Sequence, residues 1–538
     1  MGKNFLKSSL QNASFNIIYQ IGFRIITFLL NAYVLRNISQ AVVGVMNVRL
    51  LLLESTILFL SREAFRRACL TKTTEHNWTQ VINLLWLTVP LCAVLSVLFG
   101  WIWLNILSTP EPEITVHYKV GVLAICISCV IEMCAEPLYL VSQAFLFVKL
   151  RILLDAINVT IRTLTFTILI VWKPSAAVVA FSAAQILAVV SYVVGYYTYF
   201  HFYTEMRKSR PPESPDDFPF RKLADFLPRL NSDGQALVDW KLCLLTWSFL
   251  KQGVLKQVLT EGERYVMTLF SVLTFAEQGV YDVVNNLGSL AARFLFRPIE
   301  ESGYFYFSQL VHRDLPIKKQ NEVQMTEAAT VLRQLLRFVV SVGVAVVCFG
   351  QAYSRLLLAL YGGTGLAEGV GPMLLRTHCL AILLLALNGT TECYALATMN
   401  TAQLDRYNHV MAFLSIGFLF FSWLLTLLFG SVGFILANCC NMAARISHSV
   451  IFIHKRYLDT AYKPLKGIIP GKLFLMVVIS SAIITMYSEV RFYERSKITH
   501  FCIGAVSFFL SVGVWIYEEF DIVKSIYAKV RKHPTKEQ

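Results

Sequence analysis

The chain is written in long apolar runs separated by short polar ones. A membrane-spanning helix needs about 20 consecutive, mostly apolar residues. In the first half such spans fall at 13–35, 42–61, 81–107, 119–142, 145–171 and 176–202. In the second half they fall at 243–270, 276–309, 332–359, 373–398, 407–429, 432–453, 472–490 and 499–517. The pattern predicts an all-α polytopic membrane protein with about 14 transmembrane helices. Spans 42–61, 243–270 and 276–309 each carry several polar groups, and the apolar signal is weakest there.

Lysine and arginine sort by side. With the N-terminus in the cytosol, cytosolic segments hold 31 Lys and Arg against 6 on the opposite side. The positive-inside rule then puts both termini in the cytosol. The opposite loops are short and turn at Ser108-Thr109-Pro110, Gly362-Gly363 and Gly430, which leaves no room for a large domain. The longest polar stretch contains Arg210-Pro211-Pro212-Glu213-Ser214-Pro215-Asp216-Asp217 and reads as a solvated cytosolic linker rather than a metal–nucleotide site. The expected layout is an N-lobe of helices 1–6 (1–202), the linker (203–242) and a C-lobe of helices 7–12 (243–453). Helices 13–14 (454–517) and a cytosolic tail (518–538) follow.

An internal repeat supports two pseudo-symmetric six-helix lobes plus two C-terminal helices. Val43-Gly44-Val45-Met46-Asn47 matches Gln278-Gly279-Val280-Tyr281-Asp282 at an offset of 235 residues. At that offset Leu60 and Arg62 fall on Leu295 and Arg297, and Gln20 lies near the counterpart of Gln257. Six spans separate the copies, so both insert in the same orientation. Parallel repeats of this kind build transporters whose site lies between the halves.

Composition agrees. Of 538 residues, 56% are hydrophobic and only 15% charged, with mean hydropathy +0.57. A soluble enzyme, a disordered chain and a collagen are excluded. The net charge of +14 follows from the basic cytosolic loops, so no nucleic-acid partner is expected. Most of the 12 cysteines sit in apolar runs and read as small buried hydrophobes, the Cys126/Cys129 pair included. No cleavable signal peptide precedes the first span, which doubles as the targeting signal, and Leu6 argues against myristoylation. No zinc motif, P-loop or Gly-x-Ser-x-Gly is visible, so neither a cofactor nor an enzymatic activity is expected. The sequons at Asn37 and Asn388 lie at or inside spans, and neither is expected to carry a glycan.

Charges inside the bilayer are costly and mark function. Arg24 lies deep in the first helix, with Gln20 on the same face. The second helix holds Asn47, Arg49 and Glu54 and ends in Arg62, Glu63, Arg66 and Arg67. The fifth holds Lys149, Arg151, Asp155 and Arg162. The seventh holds Lys251, Lys256, Glu261, Glu263 and Arg264, and the eighth Asp282, Arg293, Arg297, Glu300 and Glu301. Helices 9–14 hold fewer, chiefly Arg355, Arg376, Glu392, Arg406 and Arg445. Cations thus outnumber anions along the start of each half, and arginine forks match phosphate oxygens. Candidate substrate-binding residues are Arg24, Arg62, Arg66, Arg67, Lys251, Lys256, Arg264, Arg293 and Arg297. Candidate gating or salt-bridge residues are Glu54, Glu261, Asp282, Glu300 and Glu301. Headgroup anchoring is the alternative for Arg62, Arg66 and Arg67. A structural salt bridge is the alternative for Arg297 with Glu300 and Glu301, and mutual neutralisation for Arg151 and Asp155. Glu132 and Glu136-Pro137 form an i, i+4 pair that suits either cation coupling or a buried hydrogen-bonded pair.

The stretches VGVMNVRLLLLESTILFLSREAFRRACL (43–70), NLLWLTVP (83–90), LTEGERYVMT (259–268), QGVYDVVNNLGSLAARFLFRPIEES (278–302), DRYN (405–408) and GSVGFILANC (430–439) resemble the Rft-type oligosaccharide translocation proteins of the endoplasmic reticulum. The resemblance covers nearly the whole chain and is thinnest at 203–240 and the tail. It implies the multidrug/oligosaccharidyl-lipid/polysaccharide exporter fold, with two six-helix lobes. It also implies movement of a dolichyl-diphosphate heptasaccharide (five mannoses, two N-acetylglucosamines) from the cytosolic to the lumenal leaflet, for N-glycosylation. The implied partners are that lipid-linked oligosaccharide, membrane lipids and other proteins of the dolichol pathway. The implied location is the endoplasmic reticulum membrane. Two other readings stay open: a non-transporting accessory or chaperone of the pathway, and a cation-coupled small-molecule antiporter working through Glu132 and Glu136.

Overall fold

The structure is a computed structural model. It describes residues 27–71, 77–208, 218–229, 236–313, 315, 319–458, 460–520 and 524. Among the described residues there is no strand. The helices are α1 (27–37), α2 (Gln40–Cys69), α3 (Trp78–Asn105), α4 (Pro112–Met133), α5 (Glu136–Ala144), α6 (Val148–Trp172) and α7 (Ala177–Lys208). Then come α8 (Trp240–Thr260), α9 (Gly262–Leu269), α10 (275–310), α11 (Glu322–Gly362) and α12 (Gly371–Thr398). The last are α13 (Thr401–Phe429), α14 (Val432–Tyr457), α15 (Lys472–Phe492) and α16 (Lys497–Glu518). Among the described residues, 10 helices are long and apolar enough to cross a membrane. Of the expected span 13–35, residues 27–35 fall on α1 and the rest lies outside the described residues; spans 243–270, 276–309 and 432–453 fall on α8–α9, α10 and α14. These four are more polar or less fully described than the ten.

Prolines explain where long helices break. Proline lacks an N–H, and its ring clashes with the carbonyl four residues back. Pro90 acts on Trp86, where the first segment of α3 ends. Pro137 acts on Met133, where α4 ends and α5 restarts at Glu136. Pro298 acts on Phe294, inside a widened π segment of α10 at Ala292–Phe296. Starts are capped by polar side chains: Asn77 on Thr79 N at 3.1 Å, Asp239 on Lys241 N at 2.8 Å and Asn321 on Val323 N at 3.0 Å. Gly363 (φ 80°) and Gly430 (φ 58°) end α11 and α13 in conformations that disfavour other residues. Both were legible as turn glycines.

The 235-residue repeat reappears as local structure. Ser39 Oγ accepts from Val42 N at 3.4 Å, and Thr274 Oγ1 accepts from Glu277 N at 3.3 Å. Those residues correspond at the repeat offset. α2 widens into a π segment at Phe59–Glu63, and α10 does so at Ala292–Phe296, within two residues of the same register. The two motif glycines face each other. A Cβ on Gly44 would lie 1.9 Å from the Phe275 carbonyl oxygen, and one on Gly279 would lie 2.2 Å from the Gln40 carbonyl oxygen. The contacts are reciprocal at the repeat offset, so backbone meets backbone where α2 and α10 begin.

The chain divides into two compact units, Met1–Gly279 and Val280–Gln538. In the first, α2, α3 and α4 share a core that includes Leu50, Leu53, Ile57, Trp103, Tyr118 and Ile125. α8 lies along α2: Gln257 donates to Ser55 at 3.4 Å, and the Thr56 and Tyr265 hydroxyls pair at 2.8 Å. A second core is aromatic and takes in the linker. Phe218, Phe220 and Phe226 are buried with Tyr196 and Phe200. Asn83 donates to the Arg229 and Leu237 carbonyls at 2.9 and 3.0 Å and accepts from Arg229 N at 3.0 Å. The solvated-linker reading therefore needs correction over 218–229, which is docked. Asp216 and Asp217 lie outside the described residues.

In the second unit, α15 and α16 are tied to α11 and α12. Arg376 grips Glu489 with both contacts from one nitrogen, at 2.7 and 2.9 Å, and Arg355 and Arg337 reach Glu494 and Glu519 at 2.8 Å each. His500, fully buried, stacks on Tyr353 at 4.3 Å and pairs with Ser488 at 2.9 Å. All 12 cysteines are free.

Candidate functional site

The C-terminal third of α2 presents Arg62 and Arg66 on one face, one helical turn apart. Opposite them, Glu132 closes α4 and Glu136 opens α5, again one turn apart. The two pairs meet rung on rung. Arg62 Nη1 donates to Glu132 Oε1. Arg66 donates from Nε to Glu136 Oε1 and from Nη2 to Oε2, the latter at 2.8 Å. The Arg66 guanidinium also lies 3.8 Å from the centre of the Tyr139 ring, which Arg151 approaches from 5.7 Å. The proline break that separates α4 from α5 sits between the two acidic rungs. The rungs differ at their carboxylates: Glu136 is 1% exposed and Glu132 13%, while Arg66 and Arg62 are alike at 17% and 22%.

More charge surrounds the ladder within the first unit. Gln185 on α7 donates to Glu54 at 2.8 Å and accepts from Arg162 Nη1 at 3.2 Å, so one amide links an anion to a cation. Asp155 on α6 lies in electrostatic range of Arg151, Arg66, Glu132 and Arg62. Four arginines (62, 66, 151, 162) thus face four carboxylates (54, 132, 136, 155). In this cluster cations and anions are equal in number, because α4 to α6 supply acids beside the arginines of α2.

The other candidates are placed as follows. Arg67 pairs with Glu63 at 2.8 Å within α2. Arg264 pairs with Glu261 at 3.1 Å. Lys251 is exposed on α8. Arg297 and Glu301 pair at 2.9 Å on an exposed face of α10, at 74% and 68% exposure. Glu300 packs on Gly389, where a Cβ would strike its carboxylate. Asp282 is buried and accepts from Asn286 at 3.0 Å. Arg24 lies outside the described residues, as do the side chains of Lys256 and Arg293. Among the described residues no group of three or more His, Cys, Asp or Glu is arranged to hold a metal.

The family model of the Rft protein matches residues 8–529 of the chain. The chain belongs to the Rft family. Within it, the chain is 44% identical to the Man(5)GlcNAc(2)-PP-dolichol translocation protein RFT1 of Xenopus tropicalis, over 98% of both chains. Identity to the Drosophila melanogaster protein of the same name is also 44%, over 97% of this chain and 98% of that one. For the Mus musculus protein it is 43%, over 95% and 94%. The lipid II flippase MurJ in an inward closed conformation has a similar fold, with TM-score 0.57 at 13% identity over 94% of this chain and all of that one. An inward-facing multidrug resistance transporter of the MATE family, in the MOP superfamily, follows at TM-score 0.52 and 11% identity, covering 81% and 96%. These likenesses establish a transporter fold for this Rft-family chain.

Two features of the Rft-family chain escaped the sequence reading. Arg49 is fully buried, donating to the Thr268 carbonyl at 3.1 Å and to Ser108 Oγ at 2.7 Å, with the Phe275 ring 5.0 Å away. It binds α2 to the loop after α3 and to the end of α9. On α14, Arg445 binds both oxygens of Glu392 at 2.6 and 2.7 Å, with Tyr407 and Asn388 on the same carboxylate. Each was visible as a charge in an apolar run. Nothing in sequence spacing gave its partner.

Proposed function

We propose that this chain carries a Man(5)GlcNAc(2)-PP-dolichol lipid from the cytosolic to the lumenal leaflet of the endoplasmic reticulum membrane. The names of its relatives support the substrate, and the transporter fold supports alternating access between an N-lobe (1–202) and a C-lobe (243–453). Both termini are cytosolic in this reading, as the charge asymmetry of the loops supports. The observation that carries the site is the Arg62–Arg66 ladder. It is a pair of arginine forks one turn apart, near the cytosolic end of a spanning helix and partly open to solvent. Arginine forks suit phosphate oxygens, and the Arg62 fork, held by a single contact, is the more available of the two. Lys251, Arg264 and Arg297, with Arg24, Lys256 and Arg293, are further basic candidates on sequence alone. Glu54, Glu261, Asp282, Glu300 and Glu301 are the acidic ones. The sugars follow the diphosphate through water while the dolichol tail stays in lipid, with α15 and α16 as its groove.

One observation favours an accessory role instead: both ladder arginines already hold carboxylates. Translocation by the purified chain in sealed vesicles separates the two readings, with the dolichyl-diphosphate heptasaccharide as substrate and a sugar-binding protein outside as reporter. Movement faster than in protein-free vesicles is expected. It should fall about tenfold or more in Arg62→Glu, from the loss of one charge-assisted contact. Binding without movement in the native chain overturns the transport reading in favour of the accessory one.

A further inference from the structure

We infer that Glu132 is a stand-in for phosphate: it holds Arg62 in the empty site and is displaced when a diphosphate arrives. The inference rests on the proposed function and adds a positioning residue to it. Three observations support it. Arg62 and Arg66 each already hold a carboxylate within a cluster of four arginines and four carboxylates, so a diphosphate that takes the Arg62 fork must displace one. The two rungs are unequal. Glu136 is enclosed, is held by two guanidinium nitrogens, and its arginine is also stacked on Tyr139. That rung is a fixed part of the wall. Arg62 and Glu132 share one contact between one nitrogen and one oxygen, and both side chains reach solvent. That rung is the one an incoming anion can open. The third observation concerns what Glu132 would face once released. Glu54 and Asp155 are both in electrostatic range of it. Displacement therefore exchanges a guanidinium partner for acidic neighbours, and the carboxylate regains its partner by returning to Arg62 when the phosphate leaves. A carrier must release its cargo, and a returning carboxylate supplies that step without a second ligand.

The prediction is opposite in sign to that of a purely structural carboxylate. Glu132→Gln keeps the shape and removes the competing charge. Purified native and variant chains in detergent are titrated with dolichyl diphosphate, with melting temperature measured in parallel. The variant is expected to bind about fivefold more tightly, the order of a partly exposed ion pair. It is also expected to translocate more slowly at saturation, because release loses its driving charge. Unchanged or weaker binding in Glu132→Gln, with the native chain still binding, overturns the inference and leaves the proposed function standing. A native chain that fails to bind dolichyl diphosphate at all instead removes the reading beneath it. Should the glutamine variant not be recovered folded, Glu132→Asp draws the carboxylate back by one methylene. It is expected to tighten binding by a smaller factor, and unchanged binding there overturns the inference equally.

Discussion

The Arg66–Glu136 rung sets the terms at the scale of single residues. A carboxylate at 1% exposure is tolerated only because two guanidinium nitrogens satisfy it. Removing one partner leaves the other charge buried. Glu136→Leu and Arg66→Met are each expected to cost about 3–5 kcal/mol. The double variant Arg66→Met with Glu136→Leu should cost less than either alone, because no orphan charge is left. Thermal unfolding of the four proteins in detergent closes this cycle, and additive losses would contradict the pairing. Sequence reading reached such residues unevenly. Arg67 with Glu63 and Arg297 with Glu301 are one turn apart on a single helix, so spacing alone suggested them. Arg62 with Glu132 and Arg66 with Glu136 are each 70 positions apart. The four residues all stood out as charges in apolar runs. Their mutual register depends on how α2 lies against the break at Pro137, which no local pattern encodes.

At the scale of elements, the repeat is the feature that sequence and structure describe in the same terms. A few identities at an offset of 235 were a thin signal. They acquire physical meaning because Gly44 and Gly279 let two backbones touch, and because Ser39 and Thr274 cap the two helices alike. Gly279→Ala puts a methyl 2.2 Å from the Gln40 carbonyl oxygen and 2.8 Å from Gly44 N. Neither is a flexible side-chain end, so the helices must separate. The expected loss is about 1–3 kcal/mol, the usual cost of overpacking. Gly44→Ala should act at the same crossing. The double variant is then expected to lose less than the two singles combined, since one displacement relieves both clashes; melting temperatures of the three variants test this. The linker was harder to read. Phe218, Phe220 and Phe226 follow a proline-rich acidic stretch and are interspersed with Pro219, Arg221, Lys222 and Asp225, a run too short and too polar to announce a buried element. Their burial comes from aromatic partners on α7 and from the bonds of Asn83, both remote in sequence.

At the scale of the whole molecule, apolar run length foresaw the 10 described helices that are long and apolar enough to cross a membrane, because the bilayer imposes one helix length on every crossing. It said less about which helices travel together. The compact units divide at Gly279 and Val280, inside α10, whereas residues 218–229 of the polar stretch that looked like the boundary are docked in the first unit. The C-terminal pair belongs firmly to the second unit. Three ion pairs attach it along the length of α11 and α12: Arg337 with Glu519, Arg376 with Glu489 and Arg355 with Glu494. The buried His500–Tyr353 stack lies with them. Lipid packing alone gives little drive for helix association, so such polar contacts hold a peripheral pair in place. If α15 and α16 were an optional appendage, removing them would leave the rest folded. The contacts imply otherwise. A chain ending after residue 458 leaves Arg337 and Arg376 without carboxylates and uncovers the face of α11 that holds Tyr353. It is expected to accumulate poorly in cells and to melt at a lower temperature. Arg376→Glu alone should do the same in milder form, and Arg376→Glu with Glu489→Arg should recover most of the loss. Recovery in the exchanged pair, read as protein level together with glycosylation of a reporter protein, identifies the staple as the cause. A truncated chain that accumulates and supports glycosylation normally contradicts it.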